Sequence, residues 1–185
     1  INSLFFEQNA PKLVLGFISP HLNFEVISKK IKSVFPDETK VVLTTTAGEL
    51  CTFDLDKKKD SLYHEANGSW QNIVLQSFSE DIIDKVEVLT IPLFSENITS
   101  QTISHEERIS KIKNEILRLN IPFKINHTDC FALTIVDGLS NSESFLTEAV
   151  YESGKLPCLL IGGSSGGKLD FQESYIFNNE ETTRH

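Results

Sequence analysis

The stretch Phe131–Gly163, "FALTIVDGLSNSESFLTEAVYESGKLPCLLIGG", contains the pattern of a strand, a helix and a second strand. Its first residues continue an apolar run, 129–138, that has the length of a buried strand, and a second such run closes the stretch. Between the two runs, Ser140 and Glu143 make a capping pattern for an amphipathic helix that stops at Gly154. The stretch therefore predicts a β-α-β motif.

Residues 12–50 repeat the same order of elements. An apolar run precedes a helix pattern with Asn23 as N-cap and Pro36 beyond its end, and a second strand pattern follows. The two halves align without gaps at an offset of 119, because 167 − 48 = 119 places Gly48 on Gly167. We therefore predict an α/β (mixed α+β) fold with two β-α-β units related by a weak internal repeat. A mixed sheet with helices packed on it and additional antiparallel strands would complete it.

Further elements lie between and after these two motifs. Trp70–Phe78 and Lys85–Leu93 have strand character and are joined by a short polar stretch, so we expect them to form an antiparallel pair. Another strand is predicted within Glu173–Asn179. Ser104 and Glu107 form a capping box for a helix whose apolar face consists of Ile109, Ile112, Ile116 and Leu119.

The length and charge of the chain restrict its class. The 185 residues suit a single domain over 1–185, which we expect to be a fragment of a longer protein. The net charge of −9 argues against nucleic acid or an anionic membrane surface as a partner. No apolar run approaches the ~18 residues of a membrane span, so we expect this piece to be cytoplasmic, without membrane contact.

The three cysteines, Cys51, Cys130 and Cys158, show no C-x-x-C spacing. Neither a disulfide framework nor a metal site is therefore predicted. Cys130 and Cys158 lie in apolar runs, where free cysteines are usually buried, so we interpret both as core thiols.

The glycine-rich stretch Gly162–Lys168 matches the spacing of two catalytic motifs, a nucleotide phosphate loop and a hydrolase nucleophile elbow at Ser164. A phosphate loop needs Ser or Thr after its lysine, where this chain has Leu169. Both motifs also need a helix directly after the loop, and the following residues have strand character instead. A terminal His185 is a poor general base for Ser164. Neither motif is therefore expected to be catalytic.

Two alternatives remain for the glycine and hydroxyl turns at Thr44–Leu50 and Gly162–Gly167. Glycines allow close backbone approach, and their amides can form an anion-binding concavity at a ligand site. The same composition suits tight connections between strands that contact no ligand.

The stretch Val136–Asn179 resembles the second half of a FIST domain. It has that family's D-G turn, helix, strand ending in G-G-S-x-G and closing Y-x-F-x-N strand, while "TTTAGEL" (Thr44–Leu50) resembles the family's S/T-T-x-G-E turn. The resemblance covers roughly Leu13–Asn179 and is to the N-terminal FIST segment. Residues 51–93 look most like versions that precede chemoreceptor signalling domains.

This resemblance implies a bacterial, non-enzymatic sensory domain that binds a small ligand, such as an amino acid. The signal would pass to an attached or partner module in chemotaxis or related signal transduction: a chemoreceptor, a histidine kinase or a cyclic-dinucleotide enzyme. The ligand-binding residues that it implies are Thr45, Thr46, Gly48, Glu49, Asp137, Gly138, Gly162, Gly163, Ser164 and Gly166. Among these, Glu49 and Asp137 are the candidates for holding an ammonium group, and turn capping is the alternative role for both.

Two other functions are weighed against the small-ligand sensor. Some FIST domains bind haem and respond to nitric oxide, and His21 or His64 would then be the axial ligand. The third hypothesis is a serine hydrolase that uses Ser164. No cofactor other than haem is suggested.

Overall fold

Two β-α-β motifs organise the structure. It is a computed structural model that describes residues 2–7, 9–50, 63–65, 71–95, 103–170 and 172–184. Unit 1 comprises Ile1–Val88 and Ser165–His185, and unit 2 comprises Leu89–Ser164. One β-α-β motif lies in each compact unit.

The first β-α-β motif forms where the sequence predicts it. Unit 1 contains a 3-10 helix (Asn2–Leu4), β1 (Leu13–Ile18), α1 (Phe24–Lys32), β2 (Lys40–Thr45), β3 (Gly48–Leu50), β4 (Tyr63–Glu65), β5 (Ile73–Phe78), β8 (Tyr175–Phe177) and β9 (Thr182–Arg184). β1 and β2 are parallel, with Leu13 opposite Lys40. The side chain of Asn23 caps α1, because it accepts a hydrogen bond from the Val26 N–H at 3.1 Å.

A mixed sheet of five strands surrounds this motif, in the order β5-β1-β2-β8-β9. β5 lies antiparallel to β1, β8 antiparallel to β2, and β9 antiparallel to β8. β3 and β4 form a separate antiparallel pair. The predicted mixed sheet with additional antiparallel strands is therefore confirmed.

The predicted pairing of Trp70–Phe78 with Lys85–Leu93 is wrong. β5 instead pairs with β1, with Phe78 opposite Leu13. Residues 85–93 form no strand. In unit 2, Leu93 packs against the helical core and its carbonyl accepts a hydrogen bond from Arg108 Nε at 2.8 Å. This segment is thus held by side-chain packing and one buried cation rather than by a strand ladder.

The core of unit 1 lies on one face of the five-stranded sheet. The fully buried apolar residues, Val14 and Ile18 on β1 and Val41 and Leu43 on β2, are an even number of positions apart within each strand, which places them on one face of the sheet. Two aromatic residues, one at the start of α1 and one after its end, cover it. The buried residues of this cluster are Val14, Ile18, Phe24, Phe35, Val41, Leu43 and Phe177.

Unit 2 consists of two helices and a two-stranded parallel sheet. Its elements are α2 (His105–Arg118), β6 (Phe131–Val136), α3 (Glu143–Ser153) and β7 (Leu159–Ser164). β6 and β7 pair with Phe131 opposite Leu159. The buried core that the two helices form with β6 consists of Ile109, Ile112, Ile116, Val136, Leu146, Ala149 and Val150.

The caps of the two helices in unit 2 are those that the sequence predicts, except at the N-terminus of α3. Ser104 caps α2 by accepting from the Glu107 N–H at 3.1 Å, and Gly154 ends α3 with a φ of 59°. The predicted cap of α3 by Ser140 and Glu143 is wrong, because the N-cap residue is Ser142 and its side chain makes no cap bond.

Ser142 is held by a buried cation instead. Its hydroxyl donates to the Ser140 carbonyl at 2.8 Å and accepts from Arg108 Nη2 at 2.6 Å. A buried guanidinium needs hydrogen-bond acceptors around it. Because the Ser142 hydroxyl serves as one of these acceptors, it does not cap the helix.

The internal repeat is visible in the positions of the elements. The helices of the two β-α-β motifs, α1 and α3, begin 119 residues apart (143 − 24). The strands that follow them, β2 and β7, also begin 119 residues apart (159 − 40). The preceding strands begin 118 residues apart (131 − 13). The predicted offset therefore holds for the helix and the second strand and shifts by one residue at the first strand.

The helices in the described part of the chain are short, with 9, 14 and 11 residues. A bilayer crossing takes about 20 apolar residues. None of the described helices has both the length and the apolar character that such a crossing requires.

Both described cysteines differ from the sequence-based expectation. Cys130 and Cys158 are partly exposed rather than buried. Each lies directly before the first residue of a strand, β6 or β7, where the sheet ends. Cys51 lies outside the described residues.

Candidate functional site

The turn at the carboxyl end of β2 is held together by its own hydroxyl groups. Thr45 Oγ1 accepts from the Tyr175 N–H at 3.0 Å. Thr46 Oγ1 donates to the Gly48 carbonyl at 2.6 Å and accepts from the Gly48 N–H at 3.1 Å. The first bond joins β2 to β8, and the other two stabilise the turn itself. Both hydroxyls therefore bind backbone groups, as is typical of a structural turn.

Gly166 packs closely against this same turn within unit 1. Its N–H donates to the Thr45 carbonyl at 3.0 Å. A Cβ at this position would lie 2.6 Å from the backbone N of Ala47. Glycine is needed here because any side chain would push the two backbones apart.

Glu49 supplies a buried carboxylate beside the turn. Glu49 is 5% exposed. It lies opposite His64 in the pairing of β3 with β4. A carboxylate is costly to bury without compensating contacts. Glu49 is therefore the acidic candidate of unit 1.

Asp137 and Gly138 begin the turn after β6 in unit 2. Asp137 Oδ1 accepts from the Leu139 N–H at 3.0 Å, and the Asp137 carbonyl accepts from Ser140 Oγ at 2.6 Å. This is the turn-capping arrangement that the sequence leaves as the alternative role for Asp137.

Unit 2 contains a groove, which we call the α3–β7 groove, of about 640 Å³ between α3 and β7. One stripe of α3 forms its first wall, with Leu146, Val150 and Tyr151 as the large side chains. The second wall is β7, whose residues 159–163 all line the groove. The volume is within the range of small-molecule sites, ~300–1,000 Å³.

A carboxylate stands at one end of the groove. Glu143, the first residue of α3, lines the groove, and its Oε1 accepts a hydrogen bond from the hydroxyl of Ser164. Ser164 is the last residue of β7, so the bond joins the carboxyl end of a strand to the N-terminus of a helix. Ligands of α/β proteins commonly bind at this end of the strands.

The two glycines of β7 before Ser164 line the groove but differ in their surroundings. A Cβ on Gly162 would lie 1.9 Å from the carbonyl oxygen of Thr134 on β6. At Gly163, nothing lies within 4 Å of an added Cβ. Gly162 is therefore needed for the approach of the two strands, whereas Gly163 has room for a side chain.

The predicted site residues thus divide between the two units. Thr45, Thr46, Gly48, Glu49 and Gly166 belong to unit 1, and Asp137, Gly138, Gly162, Gly163 and Ser164 belong to unit 2. The groove brings together Gly162, Gly163 and, through its bond to Glu143, Ser164.

Sequence reasoning missed the groove residues outside the glycine turn. The sequence indicates Glu143 only as a helix cap, and it gives no sign that His127 lines the groove. The repeat offset is a signal that could have found Glu143, because it aligns the two helix starts, and a helix start faces the carboxyl ends of its flanking strands. Arg108, 3% exposed with its guanidinium 4.1 Å from the Phe145 ring centre, has no sequence signal.

The residues after Ser164 exclude both catalytic motifs. β7 ends at Ser164, residues 165–170 form no helix, and the next described element is β8. Without a helix N-terminus there is neither the phosphate cradle of a phosphate loop nor the strained strand-to-helix turn of a nucleophile elbow. His185, the candidate base, lies outside the described residues.

The other candidate ligands of the sequence analysis lie in unit 1. His21 is exposed in the turn after β1, and its backbone N–H donates to Ser19 Oγ at 3.4 Å. His64 lies on β4, where only the backbone is described. Within the described ranges, no group of three or more His, Cys, Asp or Glu side chains could hold a metal ion.

Comparison with known proteins gives one match. The model of the FIST N domain matches residues 12–185, which is nearly the whole chain. No curated protein and no solved structure is similar enough to match.

Proposed function

The chain belongs to the FIST N domain family, a family of sensory domains, and on this basis we propose that it is a non-enzymatic input domain for signal transduction. The ligand that we propose is a small metabolite with an ammonium group and an apolar part, such as an amino acid with an aliphatic side chain. The observation that carries this proposal is the position of Glu143 at the end of the apolar α3–β7 groove.

Charge supports an ammonium group as one end of the ligand. Glu143 is the acidic residue of the groove, and Ser164 holds its carboxylate at the carboxyl end of β7. Glu143 is exposed in the chain without ligand, and less water would screen an ion pair with an ammonium group once the ligand covers this carboxylate.

The apolar walls support a hydrocarbon chain as the other end of the ligand. Leu146, Val150 and Tyr151 line one side of the groove, and Leu160, on the same sheet face as Ser164, lines the other. Burial of a ligand methylene against such walls contributes about 0.8 kcal/mol.

The edge of β7 supports a carboxylate on the ligand. Within the described residues, β7 pairs with β6 alone, so its second edge carries backbone N–H groups that no described strand uses. Residues 158–163 all line the groove, so main-chain groups of β7 lie beside a bound ligand. Backbone N–H groups donate charge-assisted hydrogen bonds to carboxylates, so this edge offers donors for a carboxylate on the ligand.

The remaining predicted residues do not line the groove. Glu49 is a buried carboxylate in unit 1, and Asp137 is engaged in its own turn. We propose that Thr45, Thr46, Gly48, Gly138 and Gly166 shape their own turns and do not contact the ligand in the groove.

The test is a calorimetric titration of aliphatic amino acids against wild type and two matched variants. Glu143→Gln removes the carboxylate from the groove, while Glu148→Gln makes the same change on an exposed residue of the same helix that does not line it. Loss of a charged hydrogen bond costs about 1.5–3 kcal/mol. We expect ~10–100-fold weaker binding by Glu143→Gln and unchanged binding by Glu148→Gln.

Two results would refute this site. Binding that is equal in wild type and Glu143→Gln would remove the carboxylate from the ligand contacts. A complete lack of binding and of thermal stabilisation by millimolar amino acids would exclude the ligand class, because a ligand at 100 times its Kd stabilises a fold by about 2.7 kcal/mol.

The proposal includes the output of the sensor. It keeps the cytoplasmic location expected from the sequence and an attached or partner chemoreceptor, histidine kinase or cyclic-dinucleotide enzyme. The similarity of residues 51–93 to segments before chemoreceptor domains supports the first of these, although residues 51–62 and 66–70 lie outside the described structure. Ligand-dependent kinase activity and cyclic-dinucleotide turnover, both measured in the full-length protein, separate the kinase-coupled outputs from a cyclic-dinucleotide enzyme.

A further inference from the structure

The register of the parallel sheet in unit 2 aligns two cysteines. β6 and β7 pair residue by residue from Phe131 opposite Leu159 to Val136 opposite Ser164. Carrying this register one residue toward the amino ends places Cys130 opposite Cys158. Neighbouring strands lie about 4.8 Å apart, within the Cα separation of ~4.4–6.8 Å that disulfides span.

The side chains of the two cysteines belong to the same face of the sheet. Side chains alternate along a strand, so Cys130 shares a face with Ala132, and Cys158 shares a face with Leu160. Ala132 and Leu160 are themselves opposite each other in the register. Neither cysteine is fully buried, so a small reagent can reach the pair.

We propose that Cys130 and Cys158 form a redox-active dithiol, a modification site whose co-reactant is a small-molecule disulfide such as oxidised glutathione. One thiolate attacks a sulfur of the glutathione disulfide, which forms a mixed disulfide and releases one glutathione thiol. The second cysteine then attacks the protein sulfur of that mixed disulfide and releases the second glutathione thiol. The protein loses two protons and two electrons, and the glutathione disulfide gains them.

The electrostatic surroundings of Cys158 set the pH dependence of this exchange. Burial raises the pKa of the Cys158 thiol, the neighbouring Cys130 raises it further, and a hydrogen bond from the Ala132 backbone lowers it in part. His127 lines the same groove. Because the thiolate is the nucleophile, pairing is expected to be slow at neutral pH and to accelerate as the pH rises.

The test is peptide mapping of the folded chain after exposure to oxidised glutathione, at increasing pH, under non-reducing conditions. We expect a Cys130–Cys158 cross-linked peptide in wild type and in the control Cys51→Ser. Cys130→Ser should instead accumulate a glutathione adduct on Cys158, because its resolving thiol is gone. A circular dichroism spectrum of each variant confirms that it is folded.

Three outcomes would overturn the proposal. These are stable glutathione adducts on both cysteines of wild type without a cross-link, pairing of either cysteine with Cys51 in place of the other, and no reaction of either thiol at any pH that preserves the fold. The wild-type map alone decides among them, even if a serine variant does not fold.

Pairing would also change one end of the α3–β7 groove, since Cys158 lines it. This consequence rests on the proposed function and is read by titrating an aliphatic amino acid into the oxidised and reduced protein. Equal affinities would separate the dithiol from the sensor site, whereas the peptide map tests the dithiol without any ligand.

Discussion

Gly162→Ala is the substitution for which the structure gives the sharpest expectation. The added Cβ would lie 1.9 Å from the carbonyl oxygen of Thr134 and 2.4 Å from its Oγ1. The first of these atoms belongs to the backbone of the neighbouring strand and cannot rotate away. The φ of Gly162 is +155°, a conformation that residues with a side chain rarely adopt.

The expected cost combines two effects. Overpacking against a fixed neighbour costs typically 1–3 kcal/mol, and a side chain in an unfavourable backbone conformation costs a further ~1–3 kcal/mol. Because the strands can separate slightly, we expect a loss of about 3 kcal/mol in the free energy of unfolding. For a chain of 150–250 residues this corresponds to a fall in Tm of roughly 6–12 °C.

Gly163→Ala is the matched control, one residue further along β7. No atom lies within 4 Å of the Cβ that it adds. Its stability should stay within about 1 kcal/mol of wild type. The pair of variants therefore isolates the effect of the close contact at Gly162 on stability.

The assay is urea unfolding followed by far-ultraviolet circular dichroism, together with thermal melts of the three proteins. Similar stability of Gly162→Ala and Gly163→Ala would contradict this expectation, because the close approach of β6 and β7 at Gly162 would then not constrain the fold. A large loss for Gly163→Ala would contradict it equally, since the space around that residue would then be occupied.

Two further substitutions test the helices of unit 2. Arg108→Leu removes the buried donor of the Leu93 carbonyl and the Ser142 hydroxyl. An unsatisfied buried acceptor costs about 1–3 kcal/mol, so we expect a loss of about 2–5 kcal/mol in urea unfolding. Arg118→Leu on the exposed end of the same helix should change stability by less than ~1 kcal/mol. Equal losses of stability in the two variants would show that the buried Arg108 guanidinium contributes no more to stability than an exposed one. Ser104→Ala should cost about 1 kcal/mol by removing the cap of α2, and Ser110→Ala in its exposed middle should be nearly neutral or stabilising. A thermal melt in which Ser104→Ala matches wild type would contradict the capping argument.

Features that depend on neighbours in sequence can be predicted from the chain alone. The caps at Asn23 and Ser104 involve partners three residues away, and Gly154 ends its helix through its own backbone conformation. The order of strand, helix and strand in both halves follows from periodicity over a few residues. The FIST resemblance is likewise carried by short turn motifs in the sequence, and it is confirmed over residues 12–185.

Features that depend on distant residues cannot be predicted in this way. The sequence pattern favours pairing of residues 85–93 with their neighbours 70–78. In the structure, β5 instead pairs with β1 over all six of its residues. Burial of Arg108 redirects the hydroxyl of Ser142 across 34 residues, and no local pattern encodes that contact.

The candidate site shows the same division. A Gly-Gly-Ser turn at the close of the second β-α-β motif follows from the amino-acid order, because glycines and hydroxyls mark such turns through local backbone preferences. The meeting of Ser164 with Glu143, 21 residues away, and the position of Cys130 across the strands from Cys158 follow only from the folded chain. Strand register and helix placement are fixed by packing and hydrogen bonds between segments. Which of the possible pairings forms depends on all the segments of the chain together. The residue type at any one position therefore does not predict it.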